Sequence, residues 1–180
     1  YRHTLQEMNR YLYDLCEYNK WDEVREFLDS DSTNKDKKRE LVRYRGEDDS
    51  TCLHEACYFG APPDIIKSLL DIGGKELLMM ITTHTKHTAL HFACYGGASF
   101  DIMKMLIDVG GTELIMAKDY YGSTALHWIC REIDKHDDAA NKIKLMLQVA
   151  GAQKILMEKS KYGETPLEEA TRKGASDEIR

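Results

Sequence analysis

One block recurs along this chain and limits what it can fold into. The pattern Thr-x-Leu begins at Thr51, Thr88, Thr124 and Thr165, at spacings of 37, 36 and 41 residues. The match reaches well beyond those three letters. DIIKSLLDIGGKELLMM (64–80) answers DIMKMLIDVGGTELIMA (101–117), and KIKLMLQVAGAQKILME (142–158) answers both. A fainter copy precedes them: LYDLCEYNKWDEVREFLDS (12–30) keeps the apolar pattern, and ELVRYRGEDDST (40–51) lines up with ELIMAKDYYGST (113–124). A period of about 20–50 residues marks stacked supersecondary units, none of which can bury its apolar faces alone. The chain is therefore expected to form one array, a single domain over 1–180, with units at about 4–50, 51–87, 88–123, 124–164 and 165–180.

Each unit reads as two short helices and a turn. In the third, Ile102, Met105, Leu106 and Val109 fall at i, i+3, i+4 and i+7 and predict one buried stripe. Gly110 and Gly111 are expected to stop that helix, and Lys-Asp-Tyr-Tyr-Gly is turn-like. The first unit lacks the Thr-x-Leu-His block, with Arg10 and Tyr13 at the Thr and His places, and reads as an N-terminal cap. Two segments are longer than the period requires, DSDSTNKDKKRE (29–40) and REIDKHDDAAN (131–141), and both are expected to be solvated charged loops. The last unit stops just as its second helix should begin, so the protein is expected to continue.

TALHFACYGG (88–97), repeated as TCLHEAC and TALHWIC, resembles the ankyrin repeat, whose hallmark is T-P-L-H-x-A-A-x-x-G with a period near about 33 residues. The proline survives only as Pro166, and the second alanine is Cys57, Cys94 or Cys130. The resemblance implies an all-α ankyrin-repeat solenoid of helix-turn-helix units with hairpin-like tips.

The three His–Cys pairs, His54–Cys57, His91–Cys94 and His127–Cys130, invite a metal or a nucleophile. Structural zinc needs four ligands, and parallel helices about 8–10 Å apart point equivalent faces the same way, which makes convergence on one ion awkward. Substitution between the units says more. The His place also holds Tyr13 and Glu168, and the Cys place also holds Cys16, without a His, and Thr171. Thr165-Pro-Leu-Glu168 is a capping box, Thr at N-cap and Glu at N3. His at N3 can do the same work, and Cys can serve as a small packing residue. No metal and no cofactor is expected. Nor is an enzyme, since the chain has no Gly-rich phosphate loop, no GxSxG and no HExxH.

The net charge of −6 argues against nucleic-acid and membrane-surface binding, and no apolar run approaches the roughly 18 residues of a membrane span. Five cysteines, an odd number, fit free thiols in a reducing compartment, cytoplasm or nucleus. A protein-interaction module for a protein or peptide partner is expected, monomeric rather than homo-oligomeric. The alternative is a regulatory or targeting arm of a larger enzyme or channel. The resemblance places the partner surface on the concave side, on the turn tips and after the small-residue pair. Carried over position by position, that gives Tyr58, Phe59, Tyr95, Arg131, Arg172 and Lys173 on the helices, and His84, Tyr120, Tyr121, Lys161 and Tyr162 at the tips. Glu47, Asp48 and Asp49 at one end and Lys161, Arg172 and Lys173 at the other suggest a charge gradient. Phe92 and Trp128 are expected beneath the tips.

Overall fold

The computed structural model describes residues 5–30, 33–46 and 49–172. The described residues contain eleven α-helices and no strand: α1 (Leu5–Glu17), α2 (Trp21–Asp29), α3 (Lys35–Val42), α4 (Cys52–Tyr58), α5 (Pro63–Leu78), α6 (Ala89–Gly96), α7 (Phe100–Met116), α8 (Ala125–Arg131), α9 (Ala139–Ala150), α10 (Ala152–Leu156) and α11 (Pro166–Arg172). They stack in two layers. The short helices α1, α4, α6, α8 and α11 follow one another along an inner layer, and α2 with α3, then α5, α7 and α9 with α10, form the outer one. The core lies between. Leu53, Leu90 and Leu126 face it from the inner layer, and Ile66, Leu69, Met103, Leu106 and Met146 from the outer.

The glycine pairs do something other than end a helix. Gly74 (φ 64°) and Gly111 (φ 59°) leave the helical conformation for a single residue, after which the helix resumes. This left-handed φ favours glycine. The bend swings the last turn back over the core, so that Leu77, Leu114 and, after Gly151, Ile155 are fully buried. It also shifts the buried stripe of α7. Ile102, Met103, Leu106 and Ile107 face inward, whereas Val109, expected in the stripe, is 40% exposed. The helix lies between two neighbouring outer helices, so its buried face is broader than one row of i, i+3, i+4 positions.

Both long segments differ from the expected loops. Within 29–40 the chain forms the start of α3, capped by Asn34, whose side chain accepts from the Lys37 amide at 2.9 Å. Leu41 and Val42 then reach the core as Leu114 and Ile115 do in their own unit. Residues 131–141 fold back on the preceding unit through a 3-10 turn, Ile133–Lys135. Buried His136 donates from Nε2 to the Cys94 carbonyl (2.8 Å), and Lys135 donates to the Tyr95 carbonyl (3.3 Å). Lys142, also buried, donates to His136 Nδ1 at 3.1 Å. The last carbonyls of a helix have no partner within it. The insertion satisfies those of α6, which is why it is ordered against the array.

The inner helices approach one another closely where α6 ends. A Cβ built on Gly96 would lie 2.1 Å from the Tyr58 carbonyl oxygen. Gly96→Ala is expected to force α4 and α6 apart and lower stability by about 1–3 kcal/mol, the usual scale of overpacking. Urea unfolding of the variant against the unchanged chain measures it, and an unchanged midpoint would contradict this packing.

Candidate functional site

The inner helices α4, α6 and α8 each begin with a reciprocal Thr–His clasp. The amides of Thr51, Thr88 and Thr124 donate to Nδ1 of His54, His91 and His127, each at 3.1 Å. The threonine hydroxyls lie 2.8–2.9 Å from the same nitrogens. In the last unit Glu168 takes the same place, accepting from the Thr165 amide at 2.7 Å. A backbone amide can only donate, so Nδ1 carries no proton and Nε2–H is left to point outward. It reaches the next unit. His91 Nε2 donates to the Ser123 carbonyl (3.3 Å) and His127 Nε2 to the Glu164 carbonyl (3.2 Å). His54 faces the corresponding His87 carbonyl, though beyond ordinary hydrogen-bond geometry. Tyr13 joins the first unit to the second at the same level, with its hydroxyl 2.8 Å from Ser50 Oγ. Residues 50, 87, 123 and 164 each immediately precede the next N-cap threonine.

The His–Cys pairs are thus cap and packing. All five cysteines are buried. Burial pushes the Cys57 and Cys94 thiols up, and Cys130 up to about 12, so they stay protonated and unreactive near neutral pH. Among the described residues no three or more His, Cys, Asp or Glu side chains gather as a metal site would need.

The tips are small hairpins joined to one another. Asp119 N donates to the Ser123 carbonyl (2.9 Å) and Ser160 N to that of Glu164 (2.9 Å) within their tips. Between tips, Tyr120 N donates to the Thr85 carbonyl and Lys161 N to that of Tyr121, both at 2.8 Å. Asp119 organises the third tip. Its Oδ1 accepts from the amides of Tyr121 and Ser123, both at 2.8 Å, and its Oδ2 from the Trp128 indole at 2.9 Å. His87 Nε2 lies 3.6 Å from Oδ2. Burial pushes the Asp119 carboxyl up, but the His87 side chain, the Ser123 amide and the Trp128 indole outweigh it and hold it at about 2.

Between tips and inner helices runs a groove of about 410 Å³, lined by Ser50, Glu55, Tyr58, His87, His91, Phe92, Tyr95 and Trp128. Tyr58 and Tyr95 stack at 5.5 Å, nearly parallel at 12°. Trp128 stands edge-on to Tyr95 (5.4 Å) and to His87 (5.0 Å), and Phe92 edge-on to Tyr58 (6.2 Å). The two helix positions that build this wall, the residue after His and the residue after Cys, are three apart and share a helix face. They are Glu55 and Tyr58, Phe92 and Tyr95, Trp128 and Arg131, Glu169 and Arg172. One position meets the other across each unit boundary. Tyr58 meets Phe92, Tyr95 meets Trp128, and Arg131 meets Glu169 in an ion pair at 2.8 Å.

The residues expected at the partner surface divide accordingly. Tyr58 and Tyr95 line the groove, with Phe59 exposed beside Tyr58. Tyr120, Tyr121 and Tyr162 form a second cluster at the tips, where Tyr121 and Tyr162 stack at 6.2 Å and Lys161 Nζ sits 3.9 Å over the Tyr120 ring. His84 is exposed at the preceding tip. Of the residues of the expected charge gradient, Asp49, Lys161 and Arg172 are described. Arg131 pairs with buried Glu169, and Arg172 with Glu164 at 3.3 Å. Glu47, Asp48 and Lys173 lie outside the described residues. Phe92 and Trp128, expected beneath the tips, line the groove itself. Glu55 and Asp119 went unnoticed in the sequence. The variable position after each His pointed to the first, and no local pattern pointed to the second.

Residues 53–143, just over half of the chain, match the family model for ankyrin repeats, in three copies. No curated protein matches the chain. Among the described residues no helix is long and apolar enough to cross a membrane.

The buried imidazoles give the clasp a pH signature. Burial, the largest influence, lowers His54 and His91 to about 4 and lowers His127 as well. An unfolded histidine titrates near about 6.5. Between those values the unfolded chain binds protons that the folded chain refuses, so the histidine contribution to stability falls as pH drops from about 6.5 to about 4 and is constant below that. The loss is on the order of 3 kcal/mol for each fully buried ring. Urea midpoints across this range should trace that fall, and His91→Gln, which keeps an N3 acceptor without a titrating ring, should flatten it. A second outcome concerns the thiols: a thiol reagent should modify Cys57 and Cys94 only as fast as the chain unfolds, and rapid native-state labelling would contradict their burial.

Proposed function

Because the chain belongs to the ankyrin-repeat family, we propose that it is a protein-interaction module without chemistry of its own, and that it holds a partner peptide in the groove between its tips and inner helices. Ankyrin repeats generally bind protein partners, and ankyrin-repeat proteins are typically non-catalytic. The observation that carries the choice of face is the ring wall. Tyr58, Phe92, Tyr95 and Trp128 come from three consecutive units and meet along one open groove. Clustered, rigid aromatic residues are the typical anchors of protein interfaces, offering large contact area with few rotamers to freeze. Tyr95 is 39% exposed here although it touches two other rings, so part of its face is left for a partner.

The tip cluster of Tyr120, Tyr121 and Tyr162 lies at the C-terminal side of the same array and would extend the contact toward Lys161 and Arg172. If the chain serves as the regulatory or targeting arm of a larger enzyme or channel, the same groove would make the contact.

Two single substitutions separate groove from tips. Tyr95→Ala is expected to weaken binding of a partner at least about tenfold, the scale of an interface hot spot, and Tyr121→Ala by less. Binding measured by surface plasmon resonance, with the thermal melt of each variant recorded, checks this. Loss of binding with Tyr121→Ala alone would move the site to the tips.

A further inference from the structure

The insertion at 131–141 and the start of α9 bring together two buried ionisable groups that neither the caps nor the groove uses. His136 is 6% exposed and Lys142 only 2%. Lys142 Nζ donates to His136 Nδ1 at 3.1 Å, and His136 Nε2 donates to the Cys94 carbonyl at 2.8 Å. An ammonium on one side of the ring and a carbonyl on the other require the neutral imidazole protonated at Nε2. Glu132 and Lys135 also face His136, and Asp137, Asp138 and the Cys94 thiol face Lys142. Glu132 is taken by Lys135 at 3.0 Å and Asp138 by Asn141 at 2.7 Å, Asp137 is exposed, and burial keeps the thiol protonated. The His136–Lys142 pair therefore holds one positive charge, whichever nitrogen carries the proton. A second proton would set two cations at hydrogen-bond distance in a buried site, where a like charge strongly disfavours ionisation.

The same segment grips the end of α6. Lys135 donates to the Tyr95 carbonyl at 3.3 Å, and its ammonium lies 4.1 Å from the centre of the Tyr95 ring. Its own carbonyl passes so close to Gly97 that a Cβ there would lie 2.6 Å away. Freeing His136 would free these contacts with it. We infer that 131–141 is an acid-released strap: its His136–Lys142 pair holds the Tyr95 side of the groove in place at neutral pH and lets it go when a second proton binds. The strap stands on its own contacts, and its consequence, weaker peptide binding in acid, rests on the groove's being the peptide site. The sign follows from the ring. Open, His136 titrates as an ordinary histidine, near about 6.5. Closed, burial first and then Lys142 lower it. Closure is thus fully favoured above about pH 6.5 and is lost as pH falls toward the lower value.

Hydrogen exchange followed by NMR, corrected for the intrinsic pH dependence of exchange, tests it. The amides of Lys135 and His136 donate within the strap, to the Glu132 and Ile133 carbonyls. From about pH 7 to about pH 5.5 their protection should fall about tenfold, beyond any fall in α4 and α5, and the Tyr95 ring signals should move with them. His136→Gln keeps a donor and an acceptor but does not titrate, and should hold the strap closed at both pH values. If glutamine leaves the segment unprotected throughout, Lys142→Met, which removes the opposing charge, must show the same loss of pH dependence. A strap that stays closed in acid, or that opens equally in the variant that seats, would overturn the inference. Opening with unmoved Tyr95 signals would overturn the strap's hold on the groove. A display-selected peptide whose binding requires Tyr95 should bind several-fold more weakly at the lower pH to the unchanged chain than to that variant. Selected peptides indifferent to Tyr95 would overturn the groove as peptide site, and the exchange result would still decide the strap.

Discussion

A single imidazole caps the inner helix of each middle unit and, in two of the three, also ties that unit to the next; the architecture hangs on both. Its Nδ1 takes the N-cap amide of its own helix, which would otherwise go unpaired, and in the third and fourth units its Nε2–H reaches the carbonyl that opens the next unit. Glutamate can do the first job, as Glu168 does, but has no donor for the second. Threonine, histidine and the following tip therefore form one linked series across the array. The linkage costs the histidine its charge, because a proton on Nδ1 would displace the amide it accepts.

The tips owe their places to that linkage, and the groove owes its shape to the tips. Ser123, whose carbonyl His91 holds, also gives its amide to Asp119, and Asp119 in turn holds the Trp128 indole. Trp128 then sets the angle of Tyr95, which stacks on Tyr58. The ring wall is thus oriented from below by hydrogen bonds and from the side by the next ring. From the far side the insertion at 131–141 closes the end of α6 and sets Lys135 against Tyr95. A wall fixed this way presents its aromatic faces without first having to order them, which favours binding by lowering its entropic cost.

Much of this was legible in the letters. Because five units carry the same positions, the sequence holds its own substitution record, and Glu168 beside His54, His91 and His127 identified the cap role before any coordinate did. The ankyrin resemblance singled out Tyr58 and Tyr95, which line the groove. Other features depend on contacts that no period encodes. Val109 fits the helical stripe by spacing, yet the outer helix is bent at Gly111 and flanked on two sides, so the buried row moved to Met103 and Ile107. The acidic and basic letters of 131–141 look solvated, but His136 and Lys142 find each other and a bare helix end. Asp119 sits in a stretch that reads only as a turn, and its partners lie in a neighbouring tip and on the following helix. Arg131 and Arg172, read in the sequence as partner-surface residues, are each engaged in an ion pair in the fold.

The central claim is the protonation pattern of the clasp, and nitrogen-detected NMR of the imidazoles tests it most directly. His91 and His127 should both appear as the neutral tautomer protonated at Nε2, with slowly exchanging ring protons, and His91 should remain so at pH 5, above the value of about 4 to which burial lowers it. Rings protonated at Nδ1, or a His91 that titrates near about 6.5 as a free histidine does, would contradict the account.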